Sequence, residues 1–296
     1  RKWALGGGST VTISQATTDT TEKCHLQDIR QSYYYLVNIL FMLFNEIAYG
    51  PIRSRRLGVS LGMEIMPLTH KLCTFDCVYC ECGWNRPISH PILPTREEVR
   101  KALDAKLAIM QQEKAPLDVI TFSGNGEPTL HPQFLGIIED TCMLRDLYYP
   151  NAKVSVLSNS TQLGRTDVKQ ALRLCDNRIL KLDAGTDKMM SRIDLPVNKD
   201  LSIATIVRWL EEWDGDFTLQ TCFLRGEHDG QIIDNTTVEE LDAWYAIVRH
   251  LRPKQIMIYV IDRKTPVDSL EKISREKMEE IAAPLIAEGF DVIISA

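Results

Sequence analysis

From about residue 57 onward, apolar positions along the chain fall into two alternating patterns. Short, near-continuous apolar runs occur at 57–66, 117–124, 152–160, 178–185, 216–226, 254–262 and 290–295, and each predicts a strand. Between them lie stretches whose apolar residues recur three and four apart. "TREEVRKALDAKLAIMQQE" (95–113) carries Val99, Leu103, Leu107 and Met110 on one face and opens on a capping box, Thr95 with Glu98. "TVEELDAWYAIVRHL" (237–251) opens the same way, with Thr237 and Glu240. "LSIATIVRWLEEW" (201–213) sets Ile203, Ile206, Val207 and Leu210 on one side. Further helices are predicted at 132–146, 166–175 and 274–289, the last ending at Gly289. That makes about six strand-then-helix units. Strands apolar on both faces, separated by amphipathic helices, predict an α/β fold with a parallel sheet. No glycine-rich turn follows the first strand, so a partial (β/α)6-type TIM barrel fits better than a doubly wound sheet. In such barrels the chemistry sits on loops at the C-terminal ends of the strands.

The region before this alternation is different. "GGGSTVTISQATTDTTEK" (6–23) has the composition of a linker or tail. Residues 1–41 are therefore expected to be an extension outside a domain spanning 42–296, with a helix at 27–45 packed on the body as the alternative. The longest apolar run, "YYYLVNILFMLF" (33–44), is too short to span a bilayer and has no signal-peptide context.

Composition narrows the class. The 296 residues are 44% hydrophobic and 25% charged, an ordinary globular balance with enough material for a large core. The formal charge of −6 gives no support to general phosphate-backbone binding, although "PIRSRR" (51–56) is locally basic. Of eight cysteines, four crowd into "KLCTFDCVYCECGW" (71–84), and the others are scattered. Scattered cysteines read as small buried hydrophobes in a reducing compartment, here the cytoplasm, and the cluster as a metal site.

The cluster's spacing discriminates between metals. Cys73, Cys77 and Cys80 stand at x3 and x2 intervals, and Cys82 follows Cys80 after a single residue. A structural zinc needs four ligands converging on one point, and Cys80 with Cys82 make a tight bite. No second CxxC pair exists downstream. Three thiolates on one loop suit a [4Fe-4S] cluster with one iron left open to another ligand.

At this point the chain resembles the radical S-adenosylmethionine (SAM) enzymes. Cys73-x3-Cys77-x-Tyr79-Cys80 is similar to their CxxxCxΦC signature, with Tyr79 at the aromatic position. "FSGNGEP" (122–128) ends the second predicted strand, where the superfamily carries its GGE-type motif. Gly124, Gly126 and Glu127 match that motif, and Asn125 between the glycines departs from it. Over about residues 49–296 the wider pattern looks like the branch related to tRNA wyosine-synthesis proteins. The resemblance implies a [4Fe-4S] cluster on Cys73, Cys77 and Cys80. It implies SAM held through Glu127 and polar groups at strand ends, Asn159, Ser160 and Asp183, with Ser158 and Lys181 beside them. It implies reductive cleavage of SAM and hydrogen abstraction from a substrate. It also implies a reductant such as flavodoxin or ferredoxin. The wyosine branch carries further cysteines upstream. Here only Cys24 precedes Cys73, so a second cluster is not expected and tRNA modification stays one option for the substrate.

Other residues read more plainly. His131 is expected to support the fold near a helix start, and Cys222 to belong to the core. Arg225, Asp262, Arg263 and Lys264 end strands, as ordinary loop charges or substrate contacts. The competing function is a non-catalytic binding protein with a structural zinc on the cysteine loop.

Overall fold

The computed structural model describes residues 43–54 and 57–296. The extension expected over 1–41 lies outside the described residues.

Ten strands make one sheet among the described residues. The first, β1 (Ala48–Ser54), pairs antiparallel with β2 (Gly58–Met63). Then β2 joins β3 (Val119–Phe122), β4 (Lys153–Ser158), β5 (Asn177–Lys181) and β6 (Thr218–His228), all parallel. The parallel path continues through β8 (Gln255–Val260) to β10 (Val292–Ser295). Two short strands, β7 (Gln231–Asp234) and β9 (Glu271–Lys272), pair with the outer half of β6. β1 and β10 remain the two ends, so the barrel is open, as the sequence predicts.

The helices return the chain between parallel strands. They are α1 (Arg96–Gln112), α2 (Phe134–Tyr148), α3 (Thr166–Leu174), α4 (Asp187–Ile193), α5 (Ile203–Glu211), α6 (Val238–Leu251) and α7 (Arg275–Ala287). On α1 the buried residues are Val99, Leu103, Leu107 and Met110, and Thr95 with Glu98 closes the full capping box. The second expected box is only half formed. Thr237 accepts from the Glu240 backbone N–H, but the Glu240 carboxylate turns away from its own helix start. It accepts from the N–H groups of Gly185 and Thr186 and from the Thr186 hydroxyl, tying the β5–α4 loop to α6.

Three elements depart from the expected pattern. β1 contains Pro51, which obscures a strand signal. The β6–β7 hairpin turns on Asp229 and Gly230, both at positive φ, an Asp-Gly signal the sequence does carry. α4 has seven residues, below the length at which periodicity is readable.

One buried acid holds the front of the barrel. Glu64, just after β2, accepts from the backbone N–H groups of Met66 (2.7 Å) and Asn125 (2.5 Å). Burial pushes its pKa up from 4.5 to about 7, although both hydrogen bonds oppose the rise. The folded state therefore favours protonated Glu64. Its contribution is full below pH 4.5 and is lost as pH climbs through about 7. Urea unfolding at pH 5 and pH 8 should show wild type losing on the order of 3 kcal/mol relative to Glu64→Gln across that window. Parallel curves for the two proteins would assign no such proton to Glu64.

Candidate active site

The cysteine loop follows β2 and is fixed by backbone bonds on two sides. Leu72 pairs with Gly126 in an isolated parallel bridge. Its N–H donates to Asn125 O (2.9 Å), and Glu127 N–H donates to Leu72 O (3.1 Å). On the other side, Asp76 N–H donates to Asp194 O and Val78 N–H to Ile193 O, at the end of α4. Asn85 closes the loop on itself. Its side chain accepts from Cys73 N–H and donates to the carbonyls of Cys73 and Phe75. Trp84 stacks on His228 of the β6–β7 hairpin, with ring centroids 5.5 Å apart.

This framework brings the sequence-predicted residues to one cavity of about 320 Å³. Cys73, Cys77, Cys80, Tyr79, Gly124, Gly126, Glu127 and Asn159 line it, together with Ser158, Lys181, Gln220 and Tyr259. Cys82 does not. It lines an adjoining cavity of about 340 Å³ with Tyr49, Ser60 and Thr121, and its thiol donates to Gly124 O (3.3 Å). Two expected site residues also point elsewhere. Ser160 sits at φ +69° and donates its hydroxyl to Lys181 O (2.9 Å), so the turn directs it into the wall. Asp183 lies behind Tyr79, accepting from the Tyr79 hydroxyl and from Cys222 N–H (2.9 Å).

The turn after β3 accounts for the Asn125 departure. Gly124 and Gly126 have φ +155° and +149°, where a side chain is strained. A Cβ on Gly124 would lie 1.9 Å from Glu64 Oε2, and one on Gly126 would lie 1.8 Å from Leu72 O. Asn125 faces the other way. Its amide bridges Phe44 N–H and the carbonyls of Phe44 and Pro67, pinning the chain on either side of the β1–β2 hairpin.

Glu127 is 2% exposed and is held by donors alone. Oε1 accepts from Thr129 N–H, Thr129 Oγ1 and Ser158 Oγ (3.1, 2.5 and 2.9 Å). Oε2 accepts from Asn159 N–H (2.6 Å). Burial raises its pKa while these four bonds pull it down. Asn159 in turn donates to Cys73 Sγ (3.4 Å) and Thr74 Oγ1 (2.8 Å), coupling the β4 end to the first cysteine. His131 is a support, as expected: one ring nitrogen meets Pro94 O (2.8 Å) and the other accepts from Gln133 N–H. Cys222 is fully buried in β6.

Two buried lysines flank the thiols. Lys181 Nζ contacts Cys77 Sγ (2.9 Å), Asp194 Oδ1 (2.6 Å) and Asp183 Oδ2 (3.0 Å), above the rings of Phe75 and Tyr79. Lys71 Nζ is held by Asp76 Oδ1 and Gly83 O, both at 3.0 Å. Burial pushes the Cys73 thiol up to about 11, and the Lys71 charge is the largest influence opposing it. Burial likewise raises Cys77, against Lys181. Cys80 is lowered, first by the hydrogen bond from Cys82. The sequence sets Lys181 beside Asp183 at a strand end, and the structure brings its side chain to the cavity. Its alternation with Leu182, which is buried in the wall, was the available signal.

The three thiols are donors of the type that holds an iron–sulfur cluster. Among the described residues, no group of three or more His, Cys, Asp or Glu side chains is arranged to hold one metal ion. Cys73, Cys77 and Cys80 all border the one cavity of about 320 Å³, and thiols are the donors an iron–sulfur group takes.

The fold is similar to that of solved radical SAM enzymes. A radical SAM methyltransferase from Sphaerobacter thermophilus superposes with a TM-score of 0.58 at 14% identity, over 79% of this chain and 65% of that one. TYW1, solved with a lysine–pyruvate adduct bound, gives 0.54 at 13%, over 78% and 74%. In sequence, a UPF0026 protein of Helicobacter pylori is 29% identical over 251 residues, 83% of this chain and 75% of that protein. No protein-family model matches the chain.

Two substitutions probe this geometry. Gly126→Ala should push Leu72 off the turn, and the iron content after anaerobic reconstitution should fall well below half of wild type. Full iron loading would show that the bridge is dispensable. Glu127→Gln places an amide among four donors, at a cost of about 1–3 kcal/mol. The melting temperature should drop by roughly 2–4 °C per kcal/mol, and an unchanged melt would contradict the network.

Proposed function

We propose that the protein is a radical SAM enzyme acting on a substrate not yet identified. The single observation that carries this reading is the division of the cysteines. Cys73, Cys77 and Cys80 share a cavity with the GNGEP turn, and Cys82 faces another. Those three thiolates would hold a [4Fe-4S] cluster. When bound, cluster and SAM supply a one-electron cleavage of the sulfonium that yields a hydrogen-abstracting 5′-deoxyadenosyl radical.

The chain's own groups prepare the site for that chemistry. Glu127 offers its second Oε2 lone pair to an ammonium, a charge-assisted acceptor fixed in place by its four donors. Asn159 and Lys181 hold hydrogen bonds toward sulfur, which favour the thiolate form a cluster needs. The Tyr79 ring, fixed through Asp183, shields the floor from water. A low-potential carrier such as flavodoxin or ferredoxin would deliver the electron. No cysteine among the described residues is in a disulfide, and no helix among them is long and apolar enough to cross a membrane; a cytoplasmic setting fits both. A tRNA substrate is compatible with the likeness to TYW1, but nothing in the cavity selects it.

The ligand set is directly testable. Alanine at Cys73, Cys77 or Cys80 should each abolish the brown chromophore and the roughly four irons per chain expected of such a cluster. Cys82→Ala should leave both largely intact. Equal loss from Cys82→Ala, or a colourless protein with one zinc that unfolds on chelation, would replace this reading with the structural-metal one.

A further inference from the structure

Lys71 does not line the cavity. Its side chain is 2% exposed, and the loop Cys73–Gly83 closes around it. A buried ammonium is costly unless it is paired, so its placement asks for a reason. Two of its N–H groups go to Asp76 Oδ1 and Gly83 O, and no protein acceptor takes the third among the described residues. Asp76 is its one carboxylate partner there and is 27% exposed, so water screens that charge more than it screens the lysine. Burial works against the charged form of Lys71. Its two bonds, to Asp76 and to Gly83, span the part of the loop that carries Cys77 and Cys80, and Cys73 lies two residues from it in the chain. Lys181 differs, because Asp183 and Asp194 both neutralise it.

A neutral donor would close the loop equally well. What a lysine adds is a positive charge, fixed in low dielectric inside the loop that carries the three thiols. A cluster on three thiolates is anionic, and one-electron reduction makes it more so. Net charge and hydrogen bonding around the sulfurs set the potential of such groups.

We propose that Lys71 is a redox-tuning positioning residue, whose enclosed charge raises the reduction potential of the cluster. The inference rests on the function proposed above. The step it eases is the transfer of one electron from the low-potential carrier into the cluster; no bond forms or breaks and no proton moves at Lys71. Lys71 touches neither substrate nor SAM, and acts through the cysteines of that loop.

The test is an anaerobic redox titration of the reconstituted protein, followed by electron paramagnetic resonance. Wild type is compared with Lys71→Met and Asp76→Asn. With Lys71→Met, the ratio of reduced to oxidised cluster at a fixed potential should fall about tenfold, which is about 59 mV for a one-electron couple. Asp76→Asn keeps the lysine and removes its counter-charge, so the potential should move the opposite way. A loop-closing role alone would lower iron content and leave the midpoint of the remaining cluster unmoved. An iron-loaded Lys71→Met with the wild-type midpoint overturns the proposal. If Lys71→Met holds no iron, Asp76→Asn decides, and an unchanged or lowered midpoint there overturns it. A wild-type protein without any iron–sulfur cluster refutes the underlying function instead.

Discussion

The rest of the site hangs on the backbone pairing of Leu72 with Gly126. Two hydrogen bonds, Leu72 N–H to Asn125 O and Glu127 N–H to Leu72 O, lay the start of the cysteine loop against the turn after β3. The approach is so close that no Cβ fits at Gly126. Everything with chemical potential is placed from this contact. Downstream of Leu72 come the three thiols, and downstream of Gly126 comes Glu127. Glu64 and Asn125 brace the turn from behind, the first through Asn125 N–H and the second through Phe44 and Pro67. The glycines are thus required by packing and backbone conformation before any ligand is considered.

Charge in the cavity is organised in layers. Glu127 is wrapped by Thr129, Ser158 and Asn159, all donors, which oppose the rise in its pKa that burial imposes. Lys181 sits between Asp183 and Asp194 and still reaches Cys77. The negative net charge of the chain therefore says little about this site. Its electrostatics are set by a few buried groups at close range, while the excess acidic residues are spread over a solvated surface.

Much of this was legible in the sequence, for physical reasons that also mark where legibility ends. Near-continuous apolar runs and three-to-four spacing located the parallel strands and their helices, because burial on both sheet faces and on one helix face leaves those periods. The capping box at Thr95 was readable because its partners are local, whereas Glu240 was misread because its carboxylate serves a loop more than fifty residues away in the chain. Motif spacing brought eight named residues to one cavity. Ser160 and Asp183 do not line that cavity, because being near a strand's end does not determine the side on which a residue emerges. Ser160 takes a left-handed turn into the wall, and Asp183 is drawn to Cys222 N–H and the Tyr79 hydroxyl. The network joining Glu127 to Cys73 through Asn159 is long-range and left no local trace.

The same side-of-chain argument explains why four cysteines make a set of three. Cys80 and Cys82 are one residue apart and border neighbouring cavities, although a hydrogen bond joins their thiols. Glu81 between them borders both chambers, and its carboxylate pairs with Arg263 at 2.7 Å, fastening the loop to the segment after β8. Ser123, Gly124, Leu157 and Gln220 complete the shared wall. The loop leaves the thiols of Cys73, Cys77 and Cys80 against a chamber floored by glycine backbone. It leaves Cys82 on the barrel lumen among Tyr49, Ser60 and Thr121. The geometry that excludes the fourth cysteine from the first chamber is also what keeps the two chambers in contact.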